Sequence, residues 1–172
     1  MDLPKITLVL GGQRSGKSRY AEKLIEAVGG GVYLATAQAF DDEMTERIGL
    51  HQSRRGDLWV THEEPLGISN YIENEAESAR PILIDCLTLW LTNQVLAEND
   101  TKDAIDALKV ALAKSPAPVV LVSNEVGQGV TPDNALARKF VDCAGRMNQV
   151  LASTADRVVF LTAGIPQIIK DE

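Results

Sequence analysis

The sequence predicts an α/β fold, a three-layer arrangement with a mostly parallel sheet and helices on both of its faces. Three observations carry this. The stretch Gly11-Gly12-Gln13-Arg14-Ser15-Gly16-Lys17-Ser18 satisfies the P-loop pattern and stands between an apolar run at 6–10 and a helical pattern. Apolar, strand-length runs alternate with helix-length amphipathic stretches along the chain. The runs at 82–84 and 119–122 are apolar at every position, as in parallel strands buried on both sides.

Taken in order, residues 6–10 read as a buried strand. Residues 17–28 follow as a helix, with Tyr20, Leu24 and Ile25 on one face and Gly29-Gly30-Gly31 ending it. Residues 32–35 form a second strand, and 36–40 a loop at its carboxyl end. Asp41 and Asp42 cap a helix with Met44, Arg47, Ile48 and His51 at i, i+3, i+4 and i+7. Its acidic start suits the helix dipole, and it stops near Gln52-Ser53-Arg54-Arg55-Gly56. Residues 59–64 read as a short strand or extended segment, and 66–79 as a moderately amphipathic helix.

Pro81 then opens the strand 82–85, which ends in a carboxylate. Residues 87–96 form an unusually apolar helix containing Trp90. Thr101 caps a further helix to about Lys114. Pro116 and Pro118 close it and lead into the strand at 119–122. A loop from 123 to 131 holds Gly127 and Gly129. Pro132 or Asp133 opens a long helix to about Ser153, and 157–162 is a last strand. The stretch from Gly164 onward is too short to assign. No repeat, low-complexity tract or linker divides the 172 residues, so the chain reads as one domain, 1–172.

The apolar share of 45% and charged share of 24% are those of an ordinary globular protein. A net charge of −7 disfavours a nucleic-acid or anionic-membrane partner. No apolar run reaches membrane-spanning length, and the chain leads straight into its first strand with no secretory signal. Cys86 and Cys143 lie far apart in apolar patterns and read as small core residues of a reduced, cytoplasmic protein.

In open parallel sheets ligands bind outside the carboxyl ends of the strands. Thr36, Asp85, Asn124-Glu125 and the P-loop all fall at such ends. Glycines let the loop curl its N–H groups toward phosphate oxygens, and the following helix adds its positive end. Lys17 reaches the β- and γ-phosphates, and the Ser18 hydroxyl suits Mg²⁺. Asp85, at the end of an apolar strand, is read as the carboxylate beside that metal, with Glu125 as its competitor. His51 has two readings. It is either a half-buried helix histidine or a nucleophile whose imidazole attacks an α-phosphorus, with Arg54 and Arg55 binding phosphate. His62 reads as a surface or loop residue, and Glu63 and Glu64 as a charged turn before Pro65. Arg138, Lys139 and Arg146 read as an exposed helix face. Ser123-Asn124-Glu125-Val126 is not the base-reading motif of a GTPase switch. A kinase for another small metabolite, or a nucleotide-controlled assembly module, stays open on these residues alone.

Several segments stand together with the P-loop: Tyr33-Leu34-Ala35-Thr36-Ala37, and Asp41-Asp42-Glu43-Met44 with Arg47-Ile48 and His51. Trp59 and Glu63, Ser123-Asn124-Glu125-Val126-Gly127 with Gly129 and Pro132, and Ala144-Gly145-Arg146-Met147-Asn148-Gln149 complete the set. Together they resemble the bifunctional adenosylcobinamide kinase/adenosylcobinamide-phosphate guanylyltransferase family. The resemblance covers essentially the whole chain. Leu50-His51 stands where some relatives have paired histidines, and Ala37 where a serine is common. The resemblance implies a RecA-like fold, trimers and two reactions. ATP or GTP phosphorylates the hydroxyl of the corrinoid's aminopropanol arm. GTP then donates GMP through His51, giving the GDP-linked corrinoid and pyrophosphate. It also implies a nucleotide site of Gly11, Gly12, Gln13, Arg14, Ser15, Gly16, Lys17 and Ser18, with Ala35, Thr36, Ala37, Gln52, Ser53, Arg54, Arg55, Glu63 and Asp85.

Overall fold

The computed structural model describes residues 3–38, 56–77 and 80–172. Its strands are β1 (Ile6–Gly11), β2 (Gly31–Ala35), β3 (Trp59–Glu63), β4 (Ile82–Asp85), β5 (Val119–Asn124), β6 (Arg157–Thr162) and β7 (Ile165–Asp171). Its helices are α1 (Lys17–Glu26), α2 (Ile68–Asn74), α3 (Leu87–Leu96), α4 (Thr101–Lys114) and α5 (Ala135–Thr154). The helix expected after Asp41, with Met44, Arg47, Ile48 and His51, lies outside the described residues. So do Gln52, Ser53, Arg54 and Arg55.

One sheet holds the strands in the order β3-β2-β4-β5-β1-β6-β7. Neighbours pair in parallel from β3 through to β6, and only β7 runs antiparallel, against β6. Burial agrees with the central places of β1 and β4. Every residue of β1 is buried, as are Ile82, Leu83 and Ile84 of β4, and such strands need helices on both faces.

Alternate side chains serve the two layers. Ile6, Leu8, Leu10, Leu34, Ile84 and Leu121 pack with Ile72 of α2, Trp90 of α3, Leu108 of α4 and Met147 of α5. Val9, Tyr33, Leu83, Val120 and Val122 pack on the other face with Ala21 and Ile25 of α1. Each fully buried Leu or Ile contributes about 1.5–3 kcal/mol relative to exposure.

Element ends differ from the sequence expectation where caps decide them. Helix α1 stops at Glu26, not near Val28. Gly29 takes φ 102°, and the Gly29 and Gly30 amides bond back to Glu26 and Ile25, closing a Schellman turn. Helix α2 is shorter than 66–79, and the Glu64 carboxylate accepts from the Leu66 and Gly67 amides just before it. The cap of α4 is Asp100, not Thr101, because its side chain receives the Lys102 and Asp103 amides. Asn134 caps α5 through the Ala137 amide, so the helix starts after Pro132 and Asp133. The unassigned tail is β7, exposed at nearly every position. Both cysteines are free, Cys86 buried and Cys143 half-buried. Among the described residues no helix is long and apolar enough to cross a membrane.

Candidate nucleotide site

The site begins with register. Gly11 at the end of β1 lies opposite Asn124 of β5, and Asp85 of β4 lies opposite Ala35 of β2. Ala35 in turn pairs with Glu63 of β3. The strand-end residues Gly11, Ala35, Glu63, Asp85 and Asn124 therefore share one edge of the sheet. The order places β5 between β1 and β4, so the loop after β5 adjoins both the P-loop and Asp85. The Glu125 amide donates to Gly11 O at 3.0 Å.

The P-loop connects β1 to α1. Gly11 is required: a Cβ there would lie 2.6 Å from Leu161 O and 2.7 Å from Ser15 Oγ, at φ 156°. Arg14 takes φ 56°, so the loop includes a left-handed turn of the kind that gathers N–H groups into a concavity. The Gly164 amide, in the β6–β7 turn, bonds Ser15 O at 2.9 Å and braces the loop from behind. Helix α1 has no acid in its first turn, so its positive end is free to meet an anion. Gln13 and Arg14 are exposed, and Gly12, Ser15 and Ser18 half-buried.

Lys17 is 6% exposed. Its ammonium donates to Gly12 O at 2.5 Å and Ser15 Oγ at 3.4 Å. Burial lowers its pKa, opposed by negative charge at Cys86 and Asp85. Burial also pushes the Cys86 thiol up to about 11, so at neutral pH the opposing charge is that of Asp85.

Further polar ties shape this edge, none with a sequence signature of its own. The Tyr33 hydroxyl donates to Asp85 Oδ2 at 2.8 Å. Thr36 is fully buried; its hydroxyl donates to Cys86 O at 2.7 Å and accepts from Cys86 N at 2.8 Å. Both capacities of that hydroxyl are thus used within the fold. Asn93 of α3 donates to Thr36 O at 2.8 Å and Pro65 O at 2.9 Å, joining the exits of β2 and β3. Behind β5, Ser123 donates to Asn148 Oδ1, and Asn148 donates to Asn124 O. The Glu125 carboxylate accepts from the Gly127 amide at 2.7 Å. Ala37 is half-buried, Glu63 exposed at its strand end, and His62 exposed on β3 with its ring 5.4 Å from Tyr71.

The residue types suit a triphosphate with a hard cation. Ser18 and Asp85 offer oxygen ligands beside the start of α1, as Mg²⁺ prefers. Among the described residues no cluster of three metal-ligating side chains exists, and a cation held by one carboxylate, one hydroxyl and substrate phosphates needs none.

The family model for cobinamide kinase / cobinamide phosphate guanyltransferase matches residues 7–169. The chain belongs to this family. A bifunctional adenosylcobalamin biosynthesis protein CobP from Pseudomonas aeruginosa is 47% identical over 168 residues, spanning 96% of this chain and 97% of that one. Bifunctional adenosylcobalamin biosynthesis proteins CobU from Salmonella typhimurium and Escherichia coli are 43% and 39% identical, each over 95% of this chain and 98% of theirs. Solved structures show the fold. A Pyrococcus horikoshii protein superposes with TM-score 0.56 at 8% identity, over 99% of this chain and 88% of that one. An ATPase of a type III secretion system superposes with TM-score 0.53 at 11% identity, over 93% and 51%. The mostly parallel sheet with helices on both faces is thus a fold this chain shares with those proteins.

Proposed function

We propose that this chain is a single-domain bifunctional enzyme acting on adenosylcobinamide in two steps at one nucleotide site. In the first, ATP or GTP phosphorylates the hydroxyl of the corrinoid's aminopropanol arm. In the second, the His51 imidazole attacks the α-phosphorus of GTP and pyrophosphate leaves. The corrinoid phosphate then takes the GMP from histidine, giving adenosylcobinamide-GDP. The observation that carries the reading is the family match across residues 7–169, which spans both the P-loop and His51.

The residues have separable tasks in this reading. The P-loop amides of residues 11–18 and the start of α1 receive the phosphates. Lys17 exchanges its bonds to Gly12 O and Ser15 Oγ for phosphate oxygens, which offsets the charge developing in phosphoryl transfer. Ser18 and Asp85 hold Mg²⁺, which, when bound, neutralises the phosphates and orients them. Ala35, Thr36, Ala37 and Glu63 border the nucleotide at the ends of β2 and β3, and Gln52, Ser53, Arg54 and Arg55 bind phosphate beside His51. Phosphoryl transfer needs no covalent protein intermediate, so the histidine serves the second reaction, splitting it into two displacements. The partners are the corrinoid and nucleotides, with no nucleic acid. The enzyme works in the cytoplasm as a homotrimer.

Intact-protein mass after incubation with GTP and Mg²⁺ tests the reading. Wild type gains one GMP and His51→Ala gains none. Absence of any adduct in wild type leaves a kinase and removes the guanylyltransferase. An adduct that persists in His51→Ala assigns the nucleophile to another residue.

A further inference from the structure

We propose that Tyr33 is a positioning residue for the Asp85 carboxylate and thereby sets how tightly the site holds a divalent cation. This rests on the reading of Asp85 as the metal-side carboxylate. Ala35 lies opposite Asp85 in the β2–β4 register, so Tyr33, two residues back, projects from the same face of the sheet. Its hydroxyl donates to Asp85 Oδ2 at 2.8 Å. That fixes the orientation of the carboxylate and leaves Oδ1 and the second lone pair of Oδ2 to a cation or its water.

The donor is itself held in place. Tyr33 is 4% exposed, and its ring meets Trp59 edge-on, with centroids 5.9 Å apart at 77°. The Trp59 indole N–H donates to Glu26 Oε1 at 3.3 Å, which ties the aromatic pair to α1. A carboxylate at a strand end rotates easily about its last torsion. Here the neighbouring attraction is Lys17, whose charge is coupled to Asp85. Tyr33 holds the carboxylate on one partner while Gly12 O and Ser15 Oγ hold the ammonium. The lysine stays available to phosphate and the carboxylate to the cation. Hydrogen-bond partners that orient a metal-binding carboxylate typically matter tenfold or more in metal affinity.

The test is Mn²⁺ binding, read by electron paramagnetic resonance. The full chain is saturated with a GTP analogue carrying a methylene between the α- and β-phosphorus. Analogue affinity in EDTA is measured alongside. Tyr33→Phe, which keeps the ring, raises the Mn²⁺ concentration for half-saturation about tenfold and leaves affinity in EDTA unchanged. Asp85→Asn raises it at least as much, and the double variant is no worse than Asp85→Asn. If Asp85→Asn shifts Mn²⁺ binding and Tyr33→Phe stays within about twofold of wild type, Tyr33 only packs and the proposal fails. If Tyr33→Phe weakens the analogue in EDTA by the same factor as Mn²⁺, the effect is general and the proposal fails. If Asp85→Asn leaves Mn²⁺ binding unchanged, the reading of Asp85 fails, and the role of Tyr33 fails with it.

Discussion

Lys17 keeps its ammonium in a loop that leaves only 6% of the residue exposed. The burial carries a desolvation cost, and Asp85 offsets part of it. The net effect still lowers the lysine pKa, so the folded apoprotein binds this proton less well than the unfolded chain does. Stability from this residue therefore rises with pH between the folded pKa and the unfolded value of 10.5. Below that window the full penalty applies. Replacing a buried charge by an apolar side chain of similar length relieves it. Lys17→Met should stabilise the apoprotein by about 1 kcal/mol at pH 7 and weaken triphosphate binding by roughly tenfold or more through loss of charge-assisted bonds. The melting-temperature gain should shrink as pH climbs toward 10.5. A variant that melts below wild type at pH 7 would show that Lys17's bonds to the loop outweigh its desolvation.

Between β2 and β4 the decisive contact is a hydroxyl serving two backbone groups. Thr36 Oγ1 accepts from Cys86 N and donates to Cys86 O, in a spot where Thr36 is fully buried and Cys86 nearly so. Thr36→Val keeps the shape and strands the Cys86 N–H, while Cys86 O keeps the Trp90 amide, at about 1–3 kcal/mol for a buried group left unpaired. Thr36→Ser keeps the oxygen and loses one methyl, about 0.8 kcal/mol. Denaturant midpoints should rank wild type, then Ser, then Val, with Val less stable than wild type by about 1–3 kcal/mol. Equal midpoints for Ser and Val would mean that water or backbone movement satisfies Cys86. These contacts also mark where sequence reading ends. Strands β1, β4 and β5 were legible because burial on both faces leaves an unbroken apolar run. The P-loop was legible because backbone curvature dictates its glycine spacing. Asp85 was legible as a carboxylate at a strand end. The tail was not, because β7 is exposed on both faces and carries no pattern to read. Tyr33–Asp85 and Asn93–Thr36 join residues 52 and 57 apart, and only the sheet register, with α3 packed on it, brings them together.

Across the molecule, the edge that would meet a nucleotide is formed by the carboxyl ends of β1, β2, β4 and β5, which are consecutive or near neighbours in one sheet. A ligand there binds a surface that exists only when all four strands are in register. It cannot bind the unfolded chain in the same way, so it stabilises the folded state by mass action. At one hundred times its dissociation constant that is about 2.7 kcal/mol. For a chain of 172 residues this corresponds to roughly 5–10 °C in melting temperature. Hydrogen exchange adds spatial detail. Amides of β1, β4 and β5 lie in the buried centre and exchange through global unfolding, so Mg²⁺–GTP at that ratio should slow them by a common factor of about one hundred. Amides near the exposed β7 exchange through local fraying and should be unaffected, although β7 belongs to the same sheet. In Lys17→Met the slowing should fall to about tenfold or less at the same ligand concentration. Slowing confined to residues 11–18, with β4 and β5 unchanged, would mean that the P-loop captures nucleotide as a local element. The shared strand edge would then contribute geometry without coupling binding to the stability of the whole sheet.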